Sequence, residues 1–94
     1  MYDKKNVFAK ILSKEISCEV VYEDKKVLFF HDMYPQAKIH ILGIPKIDVI
    51  DFSDFIIKAD KKLINYFFLK TYDVIKQVGL TQDGFKIITN SGNN

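Results

Sequence analysis

An α+β fold, with an antiparallel sheet, a short N-terminal helix and one long helix, is what this sequence predicts. Three observations carry that reading. Apolar residues recur at helical spacing near the N-terminus, short β-branched and aromatic runs separated by turn residues fill 19–45, and a broad apolar stripe runs at helical spacing through 53–78. Strands clustered before a long helix, rather than alternating with helices, indicate one sheet with a helix covering a face.

Val7, Phe8, Ile11 and Leu12 fall at i, i+1, i+4 and i+5 behind Asp3 and Asn6, which describes a short amphipathic helix with two possible caps. "EVVYE" and "VLFFH" flank the polar "DKK", so residues 19–31 read as a β-hairpin. "MYPQA" is a loop, because Pro35 withholds a backbone donor and restricts Tyr34 to extended geometry. Residues 38–45 make a third strand that ends at Pro45, and 46–52 form an irregular connection. Ser53 is the expected N-cap of the long helix, with Asp54 favourable to its positive end. Ile56, Ala59, Leu63, Phe67, Val74 and Val78 make its stripe, and Gly79 ends it. "TQDG" is a turn, and 84–90 is expected to be a fourth strand with Phe85, Ile87 and Thr89 opposite Lys86 and Ile88. "SGNN" after it is turn chemistry, so that strand reads as the first arm of a hairpin.

The totals narrow the function classes. Ninety-four residues suffice for one small domain, and a chain of this size buries roughly 60–65% of the surface it exposes unfolded. A hydrophobic share of 48%, with eight Phe and five Tyr, describes a core-forming chain. The net charge is +2 and all 14 basic residues are lysine. Without arginine's bidentate fork, sequence-specific nucleic-acid recognition is disfavoured, so no nucleic-acid partner is expected. Cys18 has no second cysteine to pair with, which suits a reducing cytoplasm, and no apolar run is long enough for a signal peptide or a membrane span. The four glycines are scattered rather than gathered into a phosphate loop, and two histidines with one cysteine lack ligand spacing. Neither a cofactor nor a metal is expected, and no nucleophile-elbow pattern is present.

One constellation does carry chemistry. F-x-K-I at 8–11, E-I at 15–16, V-Y-E-D at 21–24, D-x-x-P-Q-A at 32–37 and H-x-L-x-I-P-K at 40–46 occur in an order that resembles the histidine-triad (HIT) family, in its Hint-like nucleotide-hydrolase branch. "GFKIITNSG" resembles that family's next strand, so the resemblance spans nearly the whole chain. It implies a single HIT-like domain over 1–94, incomplete at its C-terminus and lacking the family's final strand. In the family that strand carries H-x-H-x-H, whose middle histidine attacks the α-phosphorus of a nucleotide. Only His31 and His40 are present here.

The resemblance assigns roles residue by residue. Phe8, Ile11 and Phe30 match apolar side chains around the nucleobase, where stacking and burial recognise a base without reading its edges closely. Asp32 matches a carboxylate that holds the ribose hydroxyls, for which acceptor-only oxygens are suited. Met33 matches an apolar wall, Asn90 an amide near the phosphate, and His40 an upstream histidine that supports the triad. Taken without the family, Phe8, Ile11 and Phe30 are core residues, Asp32 and Asn90 form turns, and His40 and His31 are strand histidines. The resemblance further implies a purine nucleotide or nucleoside phosphoramidate as ligand and a homodimer built on the helix of 53–78 and the strand near 84–90. Relatives hydrolyse phosphoramidate or related nucleotidyl bonds, whereas these 94 residues are expected to be catalytically inactive. The alternative is a non-catalytic dimerisation or nucleotide-sensing module.

Overall fold

In the computed structural model, which describes residues 7–13 and 18–92, the chain divides into two compact units, Met1–Asp48 and Val49–Asn94. The first holds helix α1 (Val7–Leu12) and strands β1 (Val20–Glu23), β2 (Val27–His31) and β3 (Ile41–Pro45). The second holds helices α2 (Phe52–Lys58) and α3 (Lys61–Gln77). Short strands and helices together make the expected α+β chain.

The sheet is antiparallel in the order β1-β2-β3, with β2 at its centre. Asp24 organises the turn between the first two strands. Its Oδ1 accepts from the backbone N–H groups of Lys26 (2.8 Å) and Val27 (3.0 Å), and the Tyr22 hydroxyl donates to its Oδ2 at 2.8 Å. A carboxylate that captures the amides following it is how aspartate specifies a tight loop, so "EDKK" writes the hairpin locally. The register of β1 shifts between Val20 and Tyr22, the mark of an irregularity that bends an outer strand. Lys46, just past β3, donates to Glu23 Oε2 at 2.6 Å and pins the two outer strands across β2.

Ile11, Leu28 and Phe30 form the buried cluster of this unit, with Leu12, Cys18, Leu42 and Ile44 against it. Leu28 and Phe30 share one face of β2 and Phe29 lies on the other, as the period of two requires. Gly43 stands opposite Phe29 in register. A Cβ at that position would come within 2.5 Å of the buried Phe29 ring, so the strand carries the one residue that lets the ring lie over its backbone.

The expected single helix over 53–78 is two helices. Ala59 is extended (φ −78°, ψ 147°), and Asp60 caps α3 by accepting from the Leu63 N–H at 2.8 Å. An aspartate that can satisfy an otherwise orphaned amide competes with helix continuation, and here the cap wins over an uninterrupted apolar stripe. The first helix also starts earlier than Ser53 suggests. Asp51 is its N-cap and accepts from the Asp54 N–H at 2.8 Å, while Asp54 Oδ2 accepts from the Ile50 N–H at 3.0 Å. At the far end, Gly79 takes φ +79°, its N–H bonds Lys76 C=O, and the Leu80 N–H bonds Ile75 C=O. Those two bonds form the Schellman arrangement, so Gly79 ends the helix as expected from its place one residue past the Val78 cap. Phe55, Val74 and Ile75 are buried, and the Phe55 and Phe67 rings meet edge to face at 5.3 Å.

Residues 84–90, expected to be a strand, are not one. They join none of the three strands, and Phe85, Ile87 and Ile88 are exposed. Alternation fits a residue for a pleated surface, but only a neighbouring ladder makes the strand, and among the described residues 84–90 has none. The third strand is also shorter than 38–45, beginning at Ile41, because the preceding residues belong to a loop that uses His40 for its own hydrogen bonds.

Candidate functional site

The residues of interest in the first unit lie where β2 ends. Phe30 sits in β2 with its ring 2% exposed, and Ile11 is buried beside it. Phe8, on the first turn of α1, has its ring centroid 6.5 Å from that of Phe30 at 56° and is 45% exposed. The three expected apolar residues are therefore together, but unequal. Ile11 and Phe30 are core, and Phe8 presents the accessible aromatic surface.

Beyond His31 the chain leaves the sheet at Asp32. Its Oδ1 accepts from the Tyr34 N–H at 2.9 Å, an Asx-turn that explains the local bend before Pro35. Its Oδ2 faces His40 Nε2 at 3.4 Å. The backbone closes the same loop, the Asp32 N–H donating to the His40 C=O at 3.0 Å, and the Gln36 N–H donates to His40 Nδ1 at 2.9 Å. Met33 and Tyr34 are 61% and 78% exposed, so Met33 borders the loop as an open apolar surface. Each carboxylate oxygen of Asp32 retains acceptor capacity after these contacts, since an ionised carboxylate offers about four lone-pair sites.

Asn90 belongs to the second unit and is exposed. Its neighbour Ser91 donates from its hydroxyl to Asp51 Oδ2 at 2.7 Å, which ties the tail of the unit to the start of α2. Sequence reading gave neither Ser91 nor Asp51 a role, and no local pattern links positions so far apart. The Asp54 N–H above all, and then the Ser91 hydroxyl, hold the Asp51 carboxyl below the usual carboxylate range. A carboxyl lowered by folding adds stability above its unfolded pKa and loses that contribution as pH falls through the folded one. Thermal melts of wild type and Asp51→Ala across pH are expected to differ most near neutrality and to converge in acid; a constant gap would show that the carboxylate charge is not involved.

Among the described residues, no group of three or more His, Cys, Asp or Glu is placed to hold a metal ion, and no helix is long and apolar enough to cross a membrane.

Comparison with known proteins bears directly on this arrangement. The family described as "Scavenger mRNA decapping enzyme C-term binding" matches residues 5–91. An uncharacterized HIT-like protein of Rickettsia prowazekii (strain Madrid E) is 48% identical over 92 residues, 98% of this chain and 77% of that protein. The adenylylsulfatase HINT1 of Arabidopsis thaliana is 44% identical over 93 residues, 96% of this chain and 61% of that one. In three dimensions, the structure of a histidine triad protein from Clostridium difficile superposes with a TM-score of 0.82 at 34% identity, over 99% of this chain and 80% of that chain. With its motifs in order and its sequence and fold matched over nearly all of its length, the chain belongs to the histidine-triad (HIT) family.

Proposed function

We propose that this chain binds the nucleoside part of a purine nucleotide through the face formed by Phe8 and the Asp32 loop. The observation that carries this reading is the position of the Asp32 carboxylate. It stands two residues past the Phe30 ring that Phe8 meets, at the exit of β2, and is held in place by Tyr34 and His40. An aromatic surface followed closely by an acceptor-only group matches a base followed by ribose hydroxyls. The name of the Arabidopsis relative, an adenylylsulfatase, supports an adenylyl group as the ligand. In this reading Met33 borders the sugar. The setting is the cytoplasm, where a single cysteine persists as a thiol.

Titration with AMP, followed by amide chemical shifts, tests it. Shifts are expected at Phe8 and along 32–34, and Asp32→Asn is expected to weaken binding about 10- to 100-fold, the span of a hydrogen bond to a charged group. Equal affinity for wild type and Asp32→Asn would remove Asp32 from the site.

The same reading includes a homodimer and a polypeptide that binds rather than hydrolyses. Exposed apolar residues in the second unit, Leu69 and Tyr72 on α3 together with Ile87 and Ile88, support self-association, because a second copy would bury them. Sedimentation is expected to give a dimer that Leu69→Glu dissociates. A monomer at high micromolar concentration would overturn the dimer and leave the nucleotide site standing.

A further inference from the structure

The loop of residues 32–40 is held by polar contacts rather than by packing. Met33 through Ile39 are all exposed, so apolar burial contributes little to its order. Two backbone constraints are evident, the Asp32 N–H bonded to the His40 C=O and the fixed φ of Pro35. The remaining contacts converge on one ring. His40 Nδ1 accepts from the Gln36 N–H at 2.9 Å, and Nε2 stands 3.4 Å from Asp32 Oδ2.

Those partners specify the state of the imidazole. A nitrogen that accepts from a backbone N–H carries no proton, so the proton of the neutral ring sits on Nε2 and faces the Asp32 carboxylate. Nδ1 is then engaged within the loop by a hydrogen bond, and Nε2 faces the Asp32 carboxylate at 3.4 Å. The Nδ1 lone pair, which a nucleophile or a general base would need, is directed at Gln36.

We propose that His40 is a positioning residue: a strut between the crown of the loop at Gln36 and the Asp32 carboxylate, which sets where that carboxylate points. With the Tyr34 N–H on Oδ1 and the ring at Oδ2, Asp32 is fixed from two sides before any ligand arrives. The effect on ligand affinity rests on the nucleotide reading above; the effect on the loop does not.

Three substitutions separate the two nitrogens. In His40→Asn the amide oxygen lies close to where Nδ1 is and still accepts from Gln36. His40→Gln reaches toward Asp32 but leaves Gln36 without that acceptor, and His40→Ala removes both contacts. In ligand-free protein, the Gln36 amide of His40→Ala and His40→Gln is expected to exchange with solvent about two- to tenfold faster than in wild type, the span of one net hydrogen bond. His40→Asn is expected to restore most of the protection, with amides of β2 and β3 unchanged in all three. Imidazole 15N shifts of wild type at neutral pH are expected to show Nδ1 without its proton. AMP affinity should fall in His40→Ala and His40→Asn, which both lack a group at Asp32 Oδ2, and recover in part in His40→Gln. Unchanged Gln36 exchange in His40→Ala, or a protonated Nδ1 in the neutral ring, would overturn the strut. Absence of AMP binding by wild type would instead count against the nucleotide reading, and the exchange data would still decide the role of His40.

Discussion

Leu28→Ala is expected to destabilise the protein by about 2–5 kcal/mol. Leu28 is 1% exposed at the centre of the middle strand and belongs to the cluster with Ile11 and Phe30, on which Leu12, Cys18, Leu42 and Ile44 also pack. Strands paired on both sides of β2 restrain the backbone there, so the site has little freedom to collapse around the missing atoms. Domains of this size hold about 5–14 kcal/mol in total, so this one change removes a large fraction of it. Each kcal/mol corresponds to about 4–8 °C in melting temperature. Urea unfolding provides the measurement, and Lys62→Ala, at an exposed helical position, serves as the comparison with an expected change within about 0.5 kcal/mol. Similar midpoints for the two variants would place the core elsewhere.

Features written into adjacent residues were legible in the sequence, and those decided by competition between distant groups were not. The β1-β2 hairpin is a local object: apolar runs on either side of "DKK", with Asp24 capturing the amides that follow it. The same is true of α1 and of the stop at Gly79. The break at Ala59 was hidden because alanine favours helix and the apolar stripe continues across it. Only the capping contact from Asp60 to Leu63 decides the matter, and a stripe cannot report a cap. Residues 84–90 misled for the opposite reason, since a pattern that suits a strand says nothing about whether a partner lies beside it.

The candidate site divides along the same line. Phe8, Ile11 and Phe30 do come together, and Asp32 does form the turn expected of an aspartate ahead of proline. Gln36 escaped notice because its contribution is a backbone N–H, which every residue but proline possesses and no side chain announces. The bond from Ser91 to Asp51 spans 40 residues and has no sequence signal at all. Family motifs carried information that these physical patterns could not, by fixing the order in which the pieces occur.

The 94-residue polypeptide is expected to hydrolyse adenosine 5′-phosphoramidate no faster than its buffer does. Covalent transfer through histidine requires a ring nitrogen with a free lone pair aimed at phosphorus, and donors placed where charge develops on the phosphoryl oxygens. Of the two histidines, His40 has Nδ1 engaged by Gln36 and Nε2 turned to Asp32, while His31 is the last residue of β2, paired in register with Ile41. Loss of a nucleophile from a well-studied hydrolase costs about 10⁶ in kcat, enough to bring turnover below detection in an ordinary assay. Wild type and His40→Ala should therefore be indistinguishable, whereas a polypeptide extended past Asn94 by a strand carrying H-x-H-x-H should gain activity. That extension should also raise the melting temperature by giving the exposed, isoleucine-bearing 84–90 segment a backbone partner. Turnover by the 94-residue form that His40→Ala abolishes would make His40 the reacting group. It would sink this expectation and the strut together, because a neutral ring whose Nδ1 lone pair is committed to the Gln36 N–H cannot also attack phosphorus.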